Sequence, residues 1–105
     1  MKNSYTIPRN LLDGVEAFLR VAARNSFREA ADDLGVSPSA ISQTIRQLEE
    51  RVGVPLFIRT TRSVGLTEAG NLFHAQAAPA WAMLISAWEG ARSIGGRPAG
   101  LLRLN

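Results

Sequence analysis

The fold is decided by the stretch Ala30-Ala31-Asp32-Asp33-Leu34-Gly35-Val36-Ser37-Pro38-Ser39-Ala40-Ile41-Ser42. Gly35 suits the left-handed position that follows the end of a helix. Ser37 and Pro38 suit the start of another helix, because a hydroxyl caps free N–H groups and a proline in the first turn sacrifices no hydrogen bond. The stretch therefore predicts two helices joined by a tight turn, the second and third in chain order, with the small Ala30 and Ala31 where they approach each other.

The outer ends of these two helices are also marked in the sequence. Ser26 and Glu29 have the spacing of a capping box, in which each side chain satisfies a backbone N–H at a helix start. Gly53 ends the third helix, whose inward stripe is apolar: Ile41, Ile45, Leu48 and Val52. The wedge between the two helices is expected to be filled by Leu34, Val36 and Ile41. This pattern predicts a helix-turn-helix unit, against the alternative of an ordinary helical bundle with a tight turn.

The opposite face of the third helix is polar. On a wheel of about 100° per residue it carries Ser39, Gln43, Arg46 and Glu50, flanked by Ser42 and Gln47. Gln43 could pair with adenine in the major groove of DNA, and Arg46 could reach guanine or phosphate. The alternative is an ordinary solvated helix face, and Glu50 is expected to be solvated or paired with an arginine.

Further elements are predicted on both sides of this unit. Residues 7–23 have the spacing of a first helix, and residues 55–59 and 63–66 read as the strands of a β-hairpin, or wing. Thr67 and Glu68 cap a fourth helix that runs to about Arg92, with a mild kink at Pro79. The fold class is therefore mainly α: a winged helix-turn-helix of three helices and a hairpin, followed by a long linker or dimerisation helix.

The wing carries two arginines at its tip. Arg59 could clamp a phosphate, and Arg62 could enter a narrow minor groove, where the negative potential is concentrated. The alternative is a basic solvated turn.

An apolar stripe runs along the fourth helix: Ala77, Trp81, Leu84, Ile85 and Trp88. A lone helix cannot bury two tryptophans against itself, so we expect this stripe to pair with its copy in a two-fold dimer. Packing within the same domain is the alternative, and it is expected for Leu72 and Phe73. His74, the single histidine, is interpreted as a packing residue.

Composition favours nucleic acid and disfavours catalysis. The 105 residues carry a net charge of +3, and of the 12 basic residues only Lys2 is a lysine. Arginine suits the flat, two-pronged recognition of phosphate and guanine. With no cysteine, one histidine and no evident pair of carboxylates, we expect no enzyme, no metal site and no cofactor. No apolar run is long enough for a signal peptide or a membrane span, so we expect a cytoplasmic, nucleoid-associated protein.

The same residues resemble the DNA-binding domain of LysR-type transcriptional regulators. The resemblance covers about residues 11–92; besides the opening stretch it includes Leu48-Glu49, Gly53-Val54-Pro55-Leu56-Phe57, Arg59-Thr60, Arg62 and Leu66-Thr67-Glu68-Ala69-Gly70. It implies a bacterial regulator that binds an interrupted inverted repeat in double-stranded DNA as a homodimer. For the full-length protein, the resemblance is also compatible with a tetramer. The base- and backbone-contacting positions of the family fall on Ser37, Pro38, Ser39, Ser42, Gln43, Arg46, Arg59 and Arg62. Many members have arginine at the position of Gln43, so a different base preference is expected there.

The resemblance also implies how the chain is divided. Residues 1–66 would form the DNA-binding domain and residues 67–93 the linker helix. Residues 94–105 would form a hinge and the opening strand of an effector domain, absent from this chain, through which a small molecule would act. The rival interpretation is a winged helix that docks onto protein and does not bind DNA.

Overall fold

A computed structural model describes residues 10–60 and 63–95 of the chain. Its elements, in chain order, are α1 (Leu11–Arg24), α2 (Phe27–Leu34), α3 (Pro38–Val52), β1 (Phe57–Arg59), β2 (Val64–Leu66) and α4 (Glu68–Gly95). Three helices, an antiparallel hairpin and a long last helix form the mainly α, winged helix-turn-helix architecture that the sequence predicts.

The helix starts follow the predicted caps, with one correction. Ser26 Oγ accepts the Glu29 N–H at 3.0 Å, and Ser37 Oγ accepts the Ala40 N–H at 3.1 Å. The correction concerns Glu29. Its carboxylate lies 3.8 Å from the guanidinium of Arg24 and not at the Ser26 N–H, so only the Ser26 half of the predicted capping box forms. Asn10 has a non-helical backbone and α1 begins at Leu11, whereas the predicted start, residues 7–9, lies outside the described residues.

Glycines with a left-handed backbone conformation end α2 and α3. Gly35 has φ +71° and Gly53 has φ +96°, at the two positions that the sequence assigns to helix ends. The Val36 N–H donates to Ala31 O at 3.0 Å, which closes the last turn of α2 before the chain enters α3. Gly35 therefore lies at the turn between α2 and α3, and Gly53 lies where the chain leaves α3 for the hairpin.

One hydrophobic core lies where α1, α2, α3 and the hairpin meet. Phe18, Ala30, Ala31 and Ile45 have no exposed surface, which confirms that the two alanines sit at the close approach of the helices. Aromatic rings extend this core, because Phe18 contacts Phe57 and Phe73 at centroid distances of 5.2 and 4.9 Å. The three-helix head and the base of α4 are thus one packed unit.

Three apolar residues that the sequence placed in the interior are exposed. Val36 is 44% exposed and Val52 is 47% exposed, so the wedge is filled by Ile41 and half-buried Leu34, and the buried stripe of α3 ends at Leu48. Val36 lies in the turn and Val52 in the last turn of α3, where no neighbouring element covers them. Leu72 is 66% exposed, because it points away from the core that Phe73 enters.

The hairpin is shorter than predicted. Phe57 pairs with Leu66 and Arg59 with Val64, and the Thr60 N–H donates to Ser63 O at 2.9 Å. Strand pairing does not extend to Pro55, whose carbonyl oxygen accepts instead from Thr67 Oγ1 at 2.8 Å. The tip residues 61 and 62 lie outside the described residues, and the prediction for Arg62 with them.

The first turns of α4 pass very close to the backbone of the segment that leads into β1. A Cβ built on buried Gly70 would overlap the carbonyl oxygen of Leu56, so only glycine lets the helix cross the chain here. Thr67 caps α4 by accepting the Gly70 N–H at 2.9 Å. The helix is continuous through Pro79 and ends at Gly95, three residues past the predicted Arg92.

Two further expectations concern the end of the chain and membranes. The predicted hinge and strand lie almost wholly in residues 96–105, outside the described residues. In the described part of the chain, no helix combines the length and the apolarity that crossing a bilayer requires.

Candidate nucleic-acid interface

The start of α3 is an exposed, hydroxyl-rich helix end. Ser37, Pro38 and Ser39 are all exposed, although the Ser37 hydroxyl is occupied in capping the Ala40 N–H. The hydroxyl of Ser39 lies 3.4 Å from that of Ser37 and stays accessible to a ligand. A helix N-terminus with free N–H groups attracts an anion such as phosphate, and the capping serine keeps this end well ordered.

The outward face of α3 is presented to solvent, as the sequence predicts. Gln43, Arg46 and Glu50 are exposed, and Ser42 at the flank is half-buried. The rotation of the helix is fixed because Ile41, Ile45 and Leu48 are buried on its other side. A rigid helix therefore offers an amide, a guanidinium and two hydroxyls on one accessible face.

The outward face of α3 carries an arginine that no ion pair of the described residues occupies, whereas the arginines of α1 are paired. Arg20 and Arg24 pair with Asp33 at 3.9 and 2.9 Å, at the junction of α1 and α2. Within the described ranges, Arg46 belongs to no ion pair. Its charge is therefore available to a phosphate or a base edge.

Glu49 makes contacts at this interface that sequence reasoning missed. It lies on the flank of α3, and its carboxylate accepts the N–H groups of Leu56 and Phe57 at 2.8 and 3.2 Å. The same carboxylate lies 3.6 Å from the guanidinium of Arg59. Nothing in the sequence indicates this contact, because the pattern predicts residues 55–59 as a strand whose N–H groups would be paired within the hairpin.

Arg59 is at the end of β1, as predicted, but it is not a free cation. Its guanidinium carbon lies 4.5 Å above the ring of Phe27 as well as near Glu49. Its side chain is still 38% exposed. The structure thus brings Arg59 to the same side of the molecule as α3 through contacts that the sequence did not predict.

The face of α4 that the sequence assigned to a dimer is largely open. Ala77 and Trp81 are half-buried, and the residues beyond them are exposed: Leu84 45%, Ile85 44% and Trp88 62%. An apolar groove between α1 and α4 continues this face; it is lined by Leu11, Leu12, Val15, Leu72, Ala80 and Trp81, among others. The contribution of α1 was not foreseen, although Leu12 is 55% exposed.

His74 lies beside the aromatic core. Its ring is half-buried, with the centroid 6.1 Å from that of Phe18. Across residues 10–60 and 63–95, His, Cys, Asp and Glu form no cluster of three that could hold a metal ion.

Comparisons with known proteins agree with this architecture. Residues 12–71 match the model of the bacterial regulatory helix-turn-helix protein family, lysR family, which is more than half of the chain. The chain is 43% identical over 88 residues to the uncharacterized HTH-type transcriptional regulator YcaN of Escherichia coli, covering 84% of this chain and 29% of that protein. It is 48% identical over 77 residues to the HTH-type transcriptional regulator BudR of Klebsiella aerogenes, covering 73% of this chain and 54% of that protein.

A solved structure has the same arrangement of elements. The BenM DNA-binding domain in complex with catB site 1 DNA superimposes with a TM-score of 0.77 at 28% identity, covering 83% of this chain and 97% of that chain. The chain spans only part of the curated relatives it matches, 29% of YcaN and 54% of BudR. The family match takes in all three helices of the head, the wing and the start of α4, and the chain therefore belongs to the LysR family of bacterial regulatory helix-turn-helix proteins.

Proposed function

We propose that this chain is the DNA-binding part of a transcriptional regulator and that it inserts α3 into the major groove of a specific double-stranded site. One observation carries the proposal: Ser39, Gln43 and Arg46 are exposed on one face of α3 while Ile41 and Ile45 are buried on the other. The major groove admits a helix, and each base pair presents a distinct pattern of donors and acceptors there. The BenM domain, which has the same arrangement of elements, was solved in complex with DNA, and this supports DNA as the ligand.

Affinity and specificity are divided between different residues in this mechanism. Arg46, Arg59 and the N-terminus of α3 around Ser37 and Pro38 bind phosphates and release counterions regardless of sequence, and Arg62 enters the minor groove. The side chains that then select the sequence are Gln43, Ser39 and Ser42. Gln43 pairs in a bidentate way with an adenine, and the short hydroxyls let the helix lie close to the base edges.

Two copies of the chain bind together in this proposal. The apolar face of α4, formed by half-buried Trp81 and exposed Leu84, Ile85 and Trp88, is covered by the same face of a second copy, and the groove beside α1 extends that interface. A contact between identical faces is two-fold, so the two α3 helices would enter successive major grooves of an interrupted inverted repeat. The proposal thus treats residues 1–66 as the reading head and residues 67–93 as the linker, acting in the cytoplasm at the bacterial nucleoid.

Selection of bound sites from a pool of random duplexes tests the proposal. We expect enrichment of an interrupted palindrome, bound less tightly as salt is raised. The matched control is the variant Gln43→Ala with Arg46→Ala, both outward on α3, which should fold normally and enrich nothing. A chain that enriches no sequence and binds duplexes without salt dependence would refute DNA recognition and favour the protein-docking alternative.

A further inference from the structure

We propose that Glu49 is a positioning residue that restrains Arg59 and so exchanges non-specific affinity for sequence specificity. The inference rests on the proposed function and says how Glu49 tunes the contact between Arg59 and DNA. It concerns the junction between α3 and the wing, where one carboxylate meets two backbone N–H groups and one guanidinium.

The first step is the backbone contact. Glu49 Oε2 accepts from Leu56 N at 2.8 Å and from Phe57 N at 3.2 Å, and the side chain is only 16% exposed. Hydrogen bonds to an ionised acceptor are stronger than those between neutral groups. The wing is therefore attached directly to the helix that is proposed to read the bases.

The second step is the restraint of the cation. Glu49 Oε1 lies 3.6 Å from Arg59 Nη2, and the guanidinium also stacks 4.5 Å from the centroid of Phe27. The ring of Phe27 is itself held at 5.7 Å from that of Phe57. Arg59 is thus confined by a carboxylate and a ring that both belong to the packed head.

The consequence concerns how Arg59 meets a phosphate. A free arginine on a mobile side chain binds whichever phosphate is nearest and releases a counterion on any sequence. An arginine paired with a carboxylate carries little net charge, and its direction is fixed, so it fits a phosphate only when the duplex has the required register. Glu49 should therefore lower binding to random DNA more than binding to the cognate site.

Glu49→Gln isolates this effect. The amide oxygen of glutamine can still accept the N–H groups of Leu56 and Phe57, while the negative charge beside Arg59 is gone. The matched control is Glu50→Gln: it makes the same change of charge at the next residue, which is exposed and belongs to no ion pair within the described ranges. Binding of each variant to a selected cognate duplex and to a random duplex is measured by fluorescence anisotropy across a salt series.

We expect Glu49→Gln to bind random DNA more tightly at low salt and to lower the ratio of cognate to random affinity. Its plot of log K against log salt should steepen by up to about 0.9, the slope of one additional phosphate contact on B-DNA. Glu50→Gln should change the slope and the ratio less. In the background of Arg59→Gln, Glu49→Gln should have no more effect than Glu50→Gln, which a merely structural role of Glu49 would not produce.

The inference and the proposed function fail in different ways. Equal slopes and ratios for the two glutamine variants, with a wild-type chain that binds DNA, would overturn the inference alone. An effect of Glu49→Gln that persists without Arg59 would also overturn it, because the restraint would not act through that cation. A wild-type chain with no salt-dependent binding would overturn the proposed function and this inference together.

Discussion

The helices α3 and α4 contain comparable apolar stripes, but only one of the stripes is covered. In α3, Ile41, Ile45 and Leu48 are buried against α1 and α2, which leaves the polar side of a fixed helix free. In α4, Gly70 is the single buried residue of 28, and Trp88 is 62% exposed. The head of the molecule is thus complete in one chain, whereas the apolar surface of α4 remains exposed to solvent.

The difference teaches what kind of partner each helix meets. A polar face on a rigid support suits base edges and phosphates, which hydrogen-bond and carry charge. An exposed face that contains two tryptophans suits another apolar surface, because tryptophan dominates the energetics of protein interfaces. The predictions that follow weaken one helix or the other, and each compares a residue with a control on the same helix.

The largest effect is expected in the core-facing stripe of α3. Ile45→Ala should lower the free energy of unfolding by about 2–5 kcal/mol, because it leaves a cavity at a side chain with no exposed surface. Val52→Ala, on the same predicted stripe but 47% exposed, should change it by less than about 0.5 kcal/mol. Urea unfolding followed by circular dichroism measures both. Equal losses would mean that the stripe is covered along its whole length.

The next effect is expected on α4 and on self-association. Trp88→Ala should weaken dimerisation by about 2 kcal/mol or more, since a buried tryptophan anchor typically has that effect at an interface. The secondary structure of the chain should be unchanged, because Trp88 contacts nothing in the core. Sedimentation equilibrium measures the association.

A control on the opposite side of α4 makes this result specific. Ser86 lies about 200° away from Trp88 round the helix, and Ser86→Ala should leave association unaltered. If Trp88→Ala associates as well as the unaltered chain does, the exposed stripe is not the dimer interface.

Much of this comparison could be predicted from the sequence because local chemistry determines it. Ser37, Gly35 and Gly53 form the caps and turns expected of them, and the period of Ile41, Ile45 and Leu48 fixes which face of α3 is outward. Such features depend on neighbours three or four residues away, which a sequence displays directly.

The rest depends on contacts between distant residues. Val36 and Val52 are apolar at helical spacing, yet no element happens to cover them, and periodicity does not reveal where an element ends. The contact of Glu49 with Leu56 and Arg59 spans the turn between α3 and β1 and needed the folded geometry to be seen. The groove between α1 and α4 brings Leu12 beside Leu72, which are 60 positions apart in the chain.

A smaller effect separates two glutamines of α3. Gln43→Ala should cost about 1–3 kcal/mol on the cognate duplex and relax the preference at one base pair, because a bidentate contact to adenine is lost. Gln47→Ala is the matched control: the same amide is exposed one turn later, in a small hollow beside Asn10 and Arg51. It should alter the preference little. Equal loss for Gln43→Ala on cognate and random duplexes would contradict the role of Gln43 in reading a base.

The smallest effect distinguishes the two hydroxyls at the start of α3. Ser37→Ala removes the acceptor for the Ala40 N–H and should lower the free energy of unfolding by about 1 kcal/mol. Ser39→Ala removes a hydroxyl with no backbone partner in the described residues, so it should leave stability unchanged and lower only the affinity for the cognate duplex. Thermal unfolding and duplex titration of both variants measure the two quantities. If Ser39→Ala destabilised the chain as much as Ser37→Ala did, the hydroxyl of Ser39 would be a structural element of α3 and unavailable to DNA.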